Sequence, residues 1–312
     1  MRRFASISRR RWLAAGAALG ATALLPARTS HAGTLGVMAT RAIPGTGERL
    51  PVIGLGTNRY YAGDLVNLRR LRDTLLSFAR NGGKVIDTAP AYGESQRIIG
   101  DILGEAGLVS RLFLATKVDR ENPVAAEASI ARSLKLLNTP RIDLMQLHNL
   151  RGVDTTLPLL REQQAAGRIR YIGITSARDK QYEEMEAVIR REPLDFIQID
   201  YAVGNRSAAD RLLPLAADRG MATLISLPFG GGRQFAAVEG HPLPPLAAEI
   251  GCRSWAQLFL KYVLSHPAVT CVIPGTTQPA HVEENLHAGH GPLPDAAMRR
   301  AIERHYDAIV GA

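Results

Sequence analysis

The chain contains 312 residues, of which 46% are hydrophobic, so it can bury one large core or two smaller ones and is not a disordered protein. Its formal net charge of +9 comes mostly from residues 1–32, which contain six arginines and no acidic residue. The remaining residues include 32 basic and 29 acidic side chains and no basic stripe with interleaved aromatic residues, so the sequence gives no support to nucleic-acid binding.

Residues 1–32 have the organisation of an export signal. The sequence SRRRWL (residues 8–13) resembles the twin-arginine signal that export machinery reads, and an uncharged Ala/Gly/Leu run follows over residues 12–25. This run is shorter than the roughly 20 apolar residues of a transmembrane helix, and SHA (residues 30–32) offers a small-x-small cleavage sequence. We therefore predict a signal peptide over residues 1–32 and a periplasmic or otherwise exported protein, with an uncleaved membrane anchor as the alternative.

From residue 33 to residue 312 the chain reads as one domain in which short apolar runs alternate with helical patterns. A hairpin-like opening, ATRAIPGTGERLPV, comes first. Eight apolar runs then predict strands over residues 52–57, 84–89, 112–118, 142–148, 169–175, 194–200, 222–228 and 269–275. Predicted helices occupy residues 65–80, 96–105, 124–137, 156–166, 181–191, 208–219, 254–265, 280–287 and 295–310. Continuous apolar strands in alternation with helices predict an α/β fold, a (β/α)8 TIM barrel preceded by an N-terminal hairpin.

The sequence disfavours a doubly wound sheet, a disulfide and a metal site. A doubly wound sheet would need a glycine-rich phosphate loop after its first strand, and the sequence that begins at Gly54 lacks the third glycine. The two cysteines, Cys252 and Cys271, flank a predicted helix and lie near its opposite ends, so we expect no disulfide. CxxC, HxH and HExxH spacings do not occur in the sequence, so we also expect no metal site.

Four chemically active residues lie at or just after the ends of three successive predicted strands. Asp87 ends the second strand and Tyr92 follows it, while Lys117 and His148 end the third and fourth. Each residue alone could be structural, as a turn cap, a surface residue or a core histidine. In a (β/α)8 barrel, however, the carboxyl ends of the strands meet at one mouth, where active sites form. We therefore expect these four side chains to converge.

The contexts of these residues, DTAPAYG, ATK and LH, resemble the aldo-keto reductase family, and the resemblance covers about residues 49–285. It implies reduction of a small-molecule carbonyl with hydride from NADPH, with NADH as the alternative, and a tetrad of Asp87, Tyr92, Lys117 and His148. The expected cofactor-binding residues are Thr175, Ser176 and Gln198 at the carboxamide, Tyr201 stacked near the nicotinamide, Pro228, Phe229, Gly230 and Gly232 around the pyrophosphate, and Gly275, Thr276, His281, Glu284 and Asn285. A nicotinamide-binding regulatory or assembly subunit with little turnover is the alternative function on the same fold.

The chemistry of the tetrad agrees with carbonyl reduction. Negative charge grows on the carbonyl oxygen when a hydride reaches the carbon, so a proton donor must lie beside that oxygen. Tyrosine has a reference pKa of about 10, and a neighbouring lysine lowers it by stabilising the phenolate. We expect Asp87 to hold Lys117 in place, Lys117 to lower the pKa of Tyr92, and His148 to orient the carbonyl.

Cofactor selectivity depends on whether a cation faces the 2′-phosphate of NADPH. Residues 274–281 offer hydroxyls and amides, with His281 where many relatives of this family carry arginine. A histidine is mostly neutral at neutral pH, so we expect a modest preference for NADPH that grows as the pH falls. The alternative is that an arginine from elsewhere, such as Arg233, reaches the phosphate.

The export prediction can be tested by replacing Arg9 and Arg10 together with lysine. The precursor should then remain in the cytoplasm, because a receptor reads the arginine pair itself and not its charge. Immunoblots of periplasmic and cytoplasmic fractions measure the distribution. Normal periplasmic recovery of the double variant would contradict the twin-arginine assignment.

Overall fold

Eight parallel strands form the centre of the structure, a computed structural model that describes residues 37–311. The predicted signal peptide lies outside the described residues. A hairpin of β1 (Thr40–Ala42) and β2 (Arg49–Pro51) precedes the parallel strands. These are β3 (Leu55–Gly56), β4 (Val85–Asp87), β5 (Phe113–Val118), β6 (Ile142–His148), β7 (Ile169–Ser176), β8 (Phe196–Asp200), β9 (Ala222–Ser226) and β10 (Cys271–Val272). All eight predicted strands and the N-terminal hairpin are confirmed.

The strands pair in chain order from β3 to β10, and the sheet then closes on itself. Ile53 bridges to Val272 and Gly56 bridges to Gly275, both in parallel orientation. The amide of Gly54 donates to the carbonyl of Val272 at 2.8 Å. Closure removes the exposed sheet edges and brings the loops after β3 and β10 side by side.

The N-terminal hairpin packs against the amino end of the barrel. Ile43 and Leu50 are almost completely buried and join the apolar cluster of the barrel interior, which includes Phe113 and Phe196 at the starts of β5 and β8. The Thr46 and Tyr171 hydroxyls are 2.9 Å apart and share a hydrogen bond. This end of the barrel is therefore filled, and the opposite end is the one left open for a ligand.

Helices cover the outside of the barrel. They are α1 (Leu65–Arg80), α2 (Ser95–Glu105), α3 (Pro123–Leu136), α4 (Leu157–Ala165), α5 (Tyr182–Arg191), α6 (Ser207–Asp210), α7 (Leu212–Asp218), α8 (Arg233–Ala237), α9 (Leu246–Glu249), α10 (Trp255–Leu264), α11 (Pro279–His287) and α12 (Ala296–Val310). Short polar residues begin several of them: Asp64, Asn122, Ser254 and Asp295 each accept a hydrogen bond from the third residue that follows. Within residues 37–311, none of the helices combines the length and the apolar character needed to cross a membrane.

Two features of the helical layer differ from the sequence prediction. The helix expected over residues 208–219 is interrupted at Arg211, which has φ −134° and ψ −54°. The reason is Pro214, whose ring would clash with the carbonyl of Asp210 in a continuous helix. The short helices α8 and α9, in the long connection after β9, were not predicted because four or five residues are too few to show a helical period.

Gly100 lets α2 pack directly against the end of α3. A Cβ on Gly100 would lie 1.9 Å from the carbonyl oxygen of Leu136, a distance that no side chain could occupy. The neighbouring residues Ile98, Ile99, Ile102 and Leu103 on the same helix are buried in the core. The glycine is therefore required by the close approach of two backbones.

Replacing Gly100 with alanine should lower the free energy of unfolding by about 1 to 3 kcal/mol, the usual cost of overpacking. Helix propensity alone predicts the opposite sign, a gain of about 1 kcal/mol. Gly45→Ala is the matched control, because a Cβ on Gly45 meets no atom within 4 Å. Urea unfolding measures both variants, and a Gly100→Ala protein as stable as wild type would contradict this packing.

Candidate active site

The four residues of the predicted tetrad meet at the carboxyl end of the barrel. Asp87 is the last residue of β4, Lys117 lies near the end of β5 and His148 is the last residue of β6. Tyr92 lies in the loop between β4 and α2. All four line one cavity of about 570 Å³, a volume typical of small-ligand sites.

Lys117 and Asp87 form a buried ion pair at the floor of the cavity. The lysine Nζ donates to Asp87 Oδ1 at 2.8 Å and to Oδ2 at 2.7 Å. The ammonium donates its third hydrogen bond to the backbone carbonyl of Thr88 at 2.8 Å. The two residues are only 1% and 3% exposed, so neither charge has water to solvate it. Each charge is therefore stable here only because the other is present.

Further polar groups support the carboxylate of Asp87. Gln198 Nε2 lies 3.4 Å from Asp87 Oδ2, and Gln146 Nε2 donates to Gln198 Oε1 at 2.7 Å. Burial raises the pKa of Asp87, whereas the Lys117 ammonium and the hydrogen bonds to the carboxylate oppose that rise. The glutamines thus help to keep the carboxylate in one orientation toward Lys117.

A hydroxyl network fixes the loop that carries Tyr92. Thr57 Oγ1 donates to the carbonyl of Asp87 at 2.8 Å, and Ser95 Oγ donates to Thr57 Oγ1 at 2.8 Å. The Ser95 and Thr88 hydroxyls are 2.9 Å apart. Because all three hydroxyls are buried, the start of α2 is tied to β3 and β4, and Tyr92 has a defined position above the ion pair.

Tyr92 lies between the lysine and the histidine. Lys117 Nζ is 5.1 Å from the centroid of the tyrosine ring, and the His148 ring stands edge-on to it at 6.2 Å. Burial raises the pKa of Tyr92, and the Lys117 charge opposes the rise without cancelling it. Lys117 therefore acts on this pKa in the expected direction, but burial, together with the Asp87 charge, outweighs it. The phenol is protonated at neutral pH, as a proton donor must be.

His148 is neutral at the pH of ordinary assays. Burial lowers its pKa from 6.5 to about 4, and the positive charges of Lys117, Arg178 and Arg151 add to that effect, with Asp119 opposing it. A neutral imidazole has one N–H to donate and one nitrogen to accept. His148 can therefore donate a hydrogen bond to a carbonyl oxygen without losing a proton.

Most of the residues predicted to bind a cofactor line the same cavity. They are Thr175, Gln198, Pro228, Phe229, Gly232, Gly275, Thr276 and His281. Gly231 and Gly232 have φ values of 71° and 100°, so the loop after β9 makes a turn that residues with a side chain rarely adopt. The hydroxyl of Ser226, at the end of β9, is buried against the cavity with no hydrogen-bond partner among the described residues. Such an unpartnered group is expected where a polar ligand binds.

Tyr201 does not reach the cavity, which corrects the sequence prediction. It is completely buried on the helix side of the barrel, with its ring 5.8 Å from that of Tyr262. Arg299 Nη2, from α12, donates to its hydroxyl at 2.6 Å. The reason is the alternation of side chains along a strand: Gln198 faces the cavity, so Tyr201, three residues later, faces the helices.

Ser176 also points away from the cavity. Its hydroxyl donates to Gln181 Oε1 at 2.9 Å and accepts from the amide of Arg178 at 3.2 Å. Its neighbour Thr175 faces the cavity instead, because adjacent residues of β7 point to opposite sides. The prediction that Ser176 holds the carboxamide is therefore corrected, and Thr175 and Gln198 are the residues placed to do so.

Three further predicted residues are not among those that line the cavity. Gly230 lies at the base of the glycine loop, with φ 58°, and Gly231 lines the cavity in its place. Glu284 is half-buried and Asn285 is buried within α11, beyond His281. Their proposed cofactor contacts remain predictions.

The cavity also contains residues that were not predicted from the sequence. Arg59 and Tyr60 follow β3, Asn149 follows His148, and Ser226 ends β9. Each lies within four residues of the end of a strand, so strand-end position could have identified them as candidates. The same rule identified the tetrad at β4, β5 and β6, but it does not hold at every strand, since Ser176 at the end of β7 and Tyr201 directly after β8 do not line the cavity.

Cys252 and Cys271 are both free thiols and both buried. Among residues 37–311, no three His, Cys, Asp or Glu side chains come close enough together to hold a metal ion.

Comparison with known proteins identifies similar sequences and folds. The aldo/keto reductase family model matches residues 52–306. An aldo-keto reductase of Bacillus subtilis is 32% identical over 203 residues, and the match spans 59% of this chain and only 60% of the length of that relative. A NADH-specific methylglyoxal reductase of Escherichia coli is 26% identical over 74% of this chain and 88% of that protein. An aldo-keto reductase from Klebsiella pneumoniae, solved in complex with NADPH, superposes with a TM-score of 0.72 at 26% identity, over 86% of this chain and 95% of that one.

The ion pair predicts non-additive effects on stability. Lys117→Met and Asp87→Asn should each lower the free energy of unfolding by about 3 to 5 kcal/mol, because each leaves a buried partner without its counter-charge. The double variant should lose much less than the sum, since the unpaired charge is gone. Urea unfolding of the four proteins measures the coupling, and strict additivity would show that the two groups do not stabilise one another.

Proposed function

Because this chain belongs to the aldo/keto reductase family of NAD(P)H-dependent oxidoreductases, we propose that it reduces an aldehyde or ketone to an alcohol with a proton from Tyr92. One observation carries this proposal. A protonated tyrosine, a neutral histidine and a buried lysine–aspartate pair lie together at the end of a cavity large enough for an organic ligand.

Tyr92 and Lys117 act together in proton transfer. As charge develops on the substrate oxygen, the Tyr92 hydroxyl donates its proton and becomes a phenolate. The Lys117 ammonium, 5.1 Å from the ring centroid, stabilises that phenolate and so lowers the barrier. Asp87 holds Lys117 in place and offsets the cost of burying its charge. The site thus has an acid that is protonated before the reaction and stabilised after it.

His148 orients the substrate. Its neutral ring lies 6.2 Å from the ring of Tyr92, so a carbonyl oxygen between the two can accept a hydrogen bond from each. Two donors fix the direction of the carbonyl and stabilise the negative charge that grows on its oxygen. His148 is a donor in this step and keeps its own proton.

The residues of the cavity fit a nicotinamide dinucleotide. When bound, this cofactor supplies the hydride, which no side chain of the site can provide. Thr175 and Gln198 can hydrogen-bond the carboxamide, and the unpartnered Ser226 hydroxyl marks a place for a polar group. NADPH is the proposed cofactor because the Klebsiella pneumoniae relative was solved with it. NADH is the alternative, since the Escherichia coli relative is described as NADH-specific.

The proposed location is outside the cytoplasm. The arginine pair, the short uncharged run and the small-residue cleavage sequence of residues 1–32 support a twin-arginine signal. That route carries proteins that have already folded, often around a cofactor. A tightly held dinucleotide would accordingly travel with the protein.

Replacing Tyr92 with phenylalanine should lower turnover with 4-nitrobenzaldehyde at least about a hundredfold while leaving NADPH affinity nearly unchanged. The phenol is a proton donor for the chemical step, and its loss removes little from the binding surface. NADPH oxidation, followed by its absorbance, measures turnover, and titration of protein fluorescence measures affinity.

Tyr61→Phe is the matched control, because Tyr61 is 66% exposed and does not line the cavity. It should keep wild-type turnover. If Tyr92→Phe retains more than about a tenth of wild-type turnover under conditions where chemistry is rate-limiting, Tyr92 is not the donor. If the wild-type protein binds NADPH but oxidises it with none of a panel of aldehydes and ketones, the regulatory-subunit alternative is favoured instead.

A further inference from the structure

The loop that follows His148 leaves β6 in an unusual backbone conformation. Asn149 and Leu150, the first two residues after the strand, have φ values of 56° and 60°. Asparagine adopts this left-handed region readily, but leucine does so only where the surrounding structure holds it there. Such conformations cluster at active sites. Because Asn149 lines the cavity directly after His148, the contacts that hold this turn also hold the end of the cavity where the carbonyl binds.

A side chain from the neighbouring loop holds this turn. Gln181, which lies between β7 and α5, donates from Nε2 to the backbone carbonyl of Asn149 at 3.1 Å. Its Oε1 accepts a hydrogen bond from Ser176 Oγ at 2.9 Å, and that hydroxyl accepts one from the amide of Arg178 at 3.2 Å. Ser176 is only 1% exposed, so its hydroxyl depends on these partners. We call the hydrogen bonds from Ser176 through Gln181 to Asn149 the Ser176–Gln181 bridge.

The bridge joins the ends of two strands whose side chains cooperate in the proposed reaction. The register of β6 and β7 ends at the pair of His148 and Thr175. His148 orients the substrate carbonyl, and Thr175 is placed to hold the carboxamide of the nicotinamide. The bridge connects Asn149, the residue after His148, with Ser176, the residue after Thr175. It therefore continues the connection between the two strands beyond the point where their pairing ends.

The distance between hydride donor and acceptor depends on these two strand ends. Thr175 sets the position of the nicotinamide, and His148 sets that of the carbonyl carbon. Ser176 does not line the cavity, so its hydroxyl acts on the reaction only through Gln181 and the backbone. Reacting atoms must lie about 3 to 3.5 Å apart, and a displacement of about 1 Å can slow a reaction about a hundredfold.

We propose that Ser176 and Gln181 are positioning residues, whose bridge fixes His148 and Asn149 relative to Thr175 so that carbonyl and nicotinamide meet at the distance required for hydride transfer. This inference rests on the proposed function. It gives Ser176, which was expected to bind the carboxamide, a different part in the same reaction.

Replacing Gln181 with leucine tests the proposal, because leucine has a similar length and forms no hydrogen bond. A single turnover of bound NADPH with saturating 4-nitrobenzaldehyde, followed by stopped-flow absorbance, should be at least about tenfold slower. Affinity for NADP⁺, measured by isothermal titration, should change by less than about twofold. Ser176→Ala should show the same separation of rate from affinity. Ser176→Thr, which keeps the hydroxyl, should restore most of the wild-type rate.

Lys180→Leu is the matched control. Lys180 lies in the same turn as Gln181, is exposed and does not line the cavity, so this variant should react like wild type. The double variant Ser176→Ala/Gln181→Leu should be no slower than Gln181→Leu alone, because both residues act through one bridge.

Four outcomes would overturn the proposal. Wild-type single-turnover rates in both Gln181→Leu and Ser176→Ala would show that the bridge has no effect on hydride transfer. Weaker NADP⁺ binding in Ser176→Ala but not in Gln181→Leu would show that Ser176 binds the carboxamide itself. Additive losses in the double variant would show that the two residues act separately. An equal loss of rate in Lys180→Leu would indicate a general disturbance of the loop.

The wild-type and Tyr92→Phe proteins separate failure of this inference from failure of the proposed function. A wild-type protein that oxidises NADPH with none of a panel of carbonyl compounds would overturn both. If turnover is lost in Tyr92→Phe and retained in Gln181→Leu and Ser176→Ala, the proposed function stands and the role of the bridge is wrong.

Discussion

The buried pair of Lys117 and Asp87 is the interaction on which the site depends. A charged ammonium beneath Tyr92 is useful for proton transfer, but it is unstable in a dry cavity unless a counter-charge is in contact with it. Asp87, on the adjacent strand, supplies that charge, with its Oδ2 2.7 Å from Lys117 Nζ. The backbone carbonyl of Thr88 accepts the remaining hydrogen bond of the ammonium. The positions of β4 and β5, the orientation of Gln198 and the hydroxyl network around Thr57 all serve to keep this pair intact.

Strand register decides which side chains can meet above the pair. Lys117 pairs in register with Gln146, and Thr175 is in register with both His148 and Gln198. These residues face the barrel interior at neighbouring heights, so the glutamines can hydrogen-bond across the barrel while His148 reaches the mouth. The filled amino end, where the hairpin contributes Ile43 and Leu50, leaves the carboxyl end as the open one. The chemistry is therefore confined to a single mouth.

The two ends of the cavity have different electrostatic requirements. Near Tyr92 the charges are paired and the histidine is neutral, so a neutral carbonyl can bind and charge can develop during the reaction. Toward Gly275 the lining offers backbone groups and hydroxyls, which suit a ligand that already carries negative charge. A single elongated ligand with a neutral ring at one end and phosphates further along would satisfy both.

The sequence by itself determined the barrel, the hairpin and the strand-end positions of Asp87, Lys117 and His148, because apolar runs and the turn residues that bound them are local signals. The break at Arg211 could also have been predicted, since Pro214 is visible in the chain. Only the tertiary structure decided that Tyr201 and Ser176 face away from the cavity, that burial raises the pKa of Tyr92, and that Gly56 lies beside Gly275. The physical reason is that periodicity reports local conformation, whereas burial, the direction of a side chain at a strand end and the closure of β10 onto β3 depend on contacts between segments far apart in the chain.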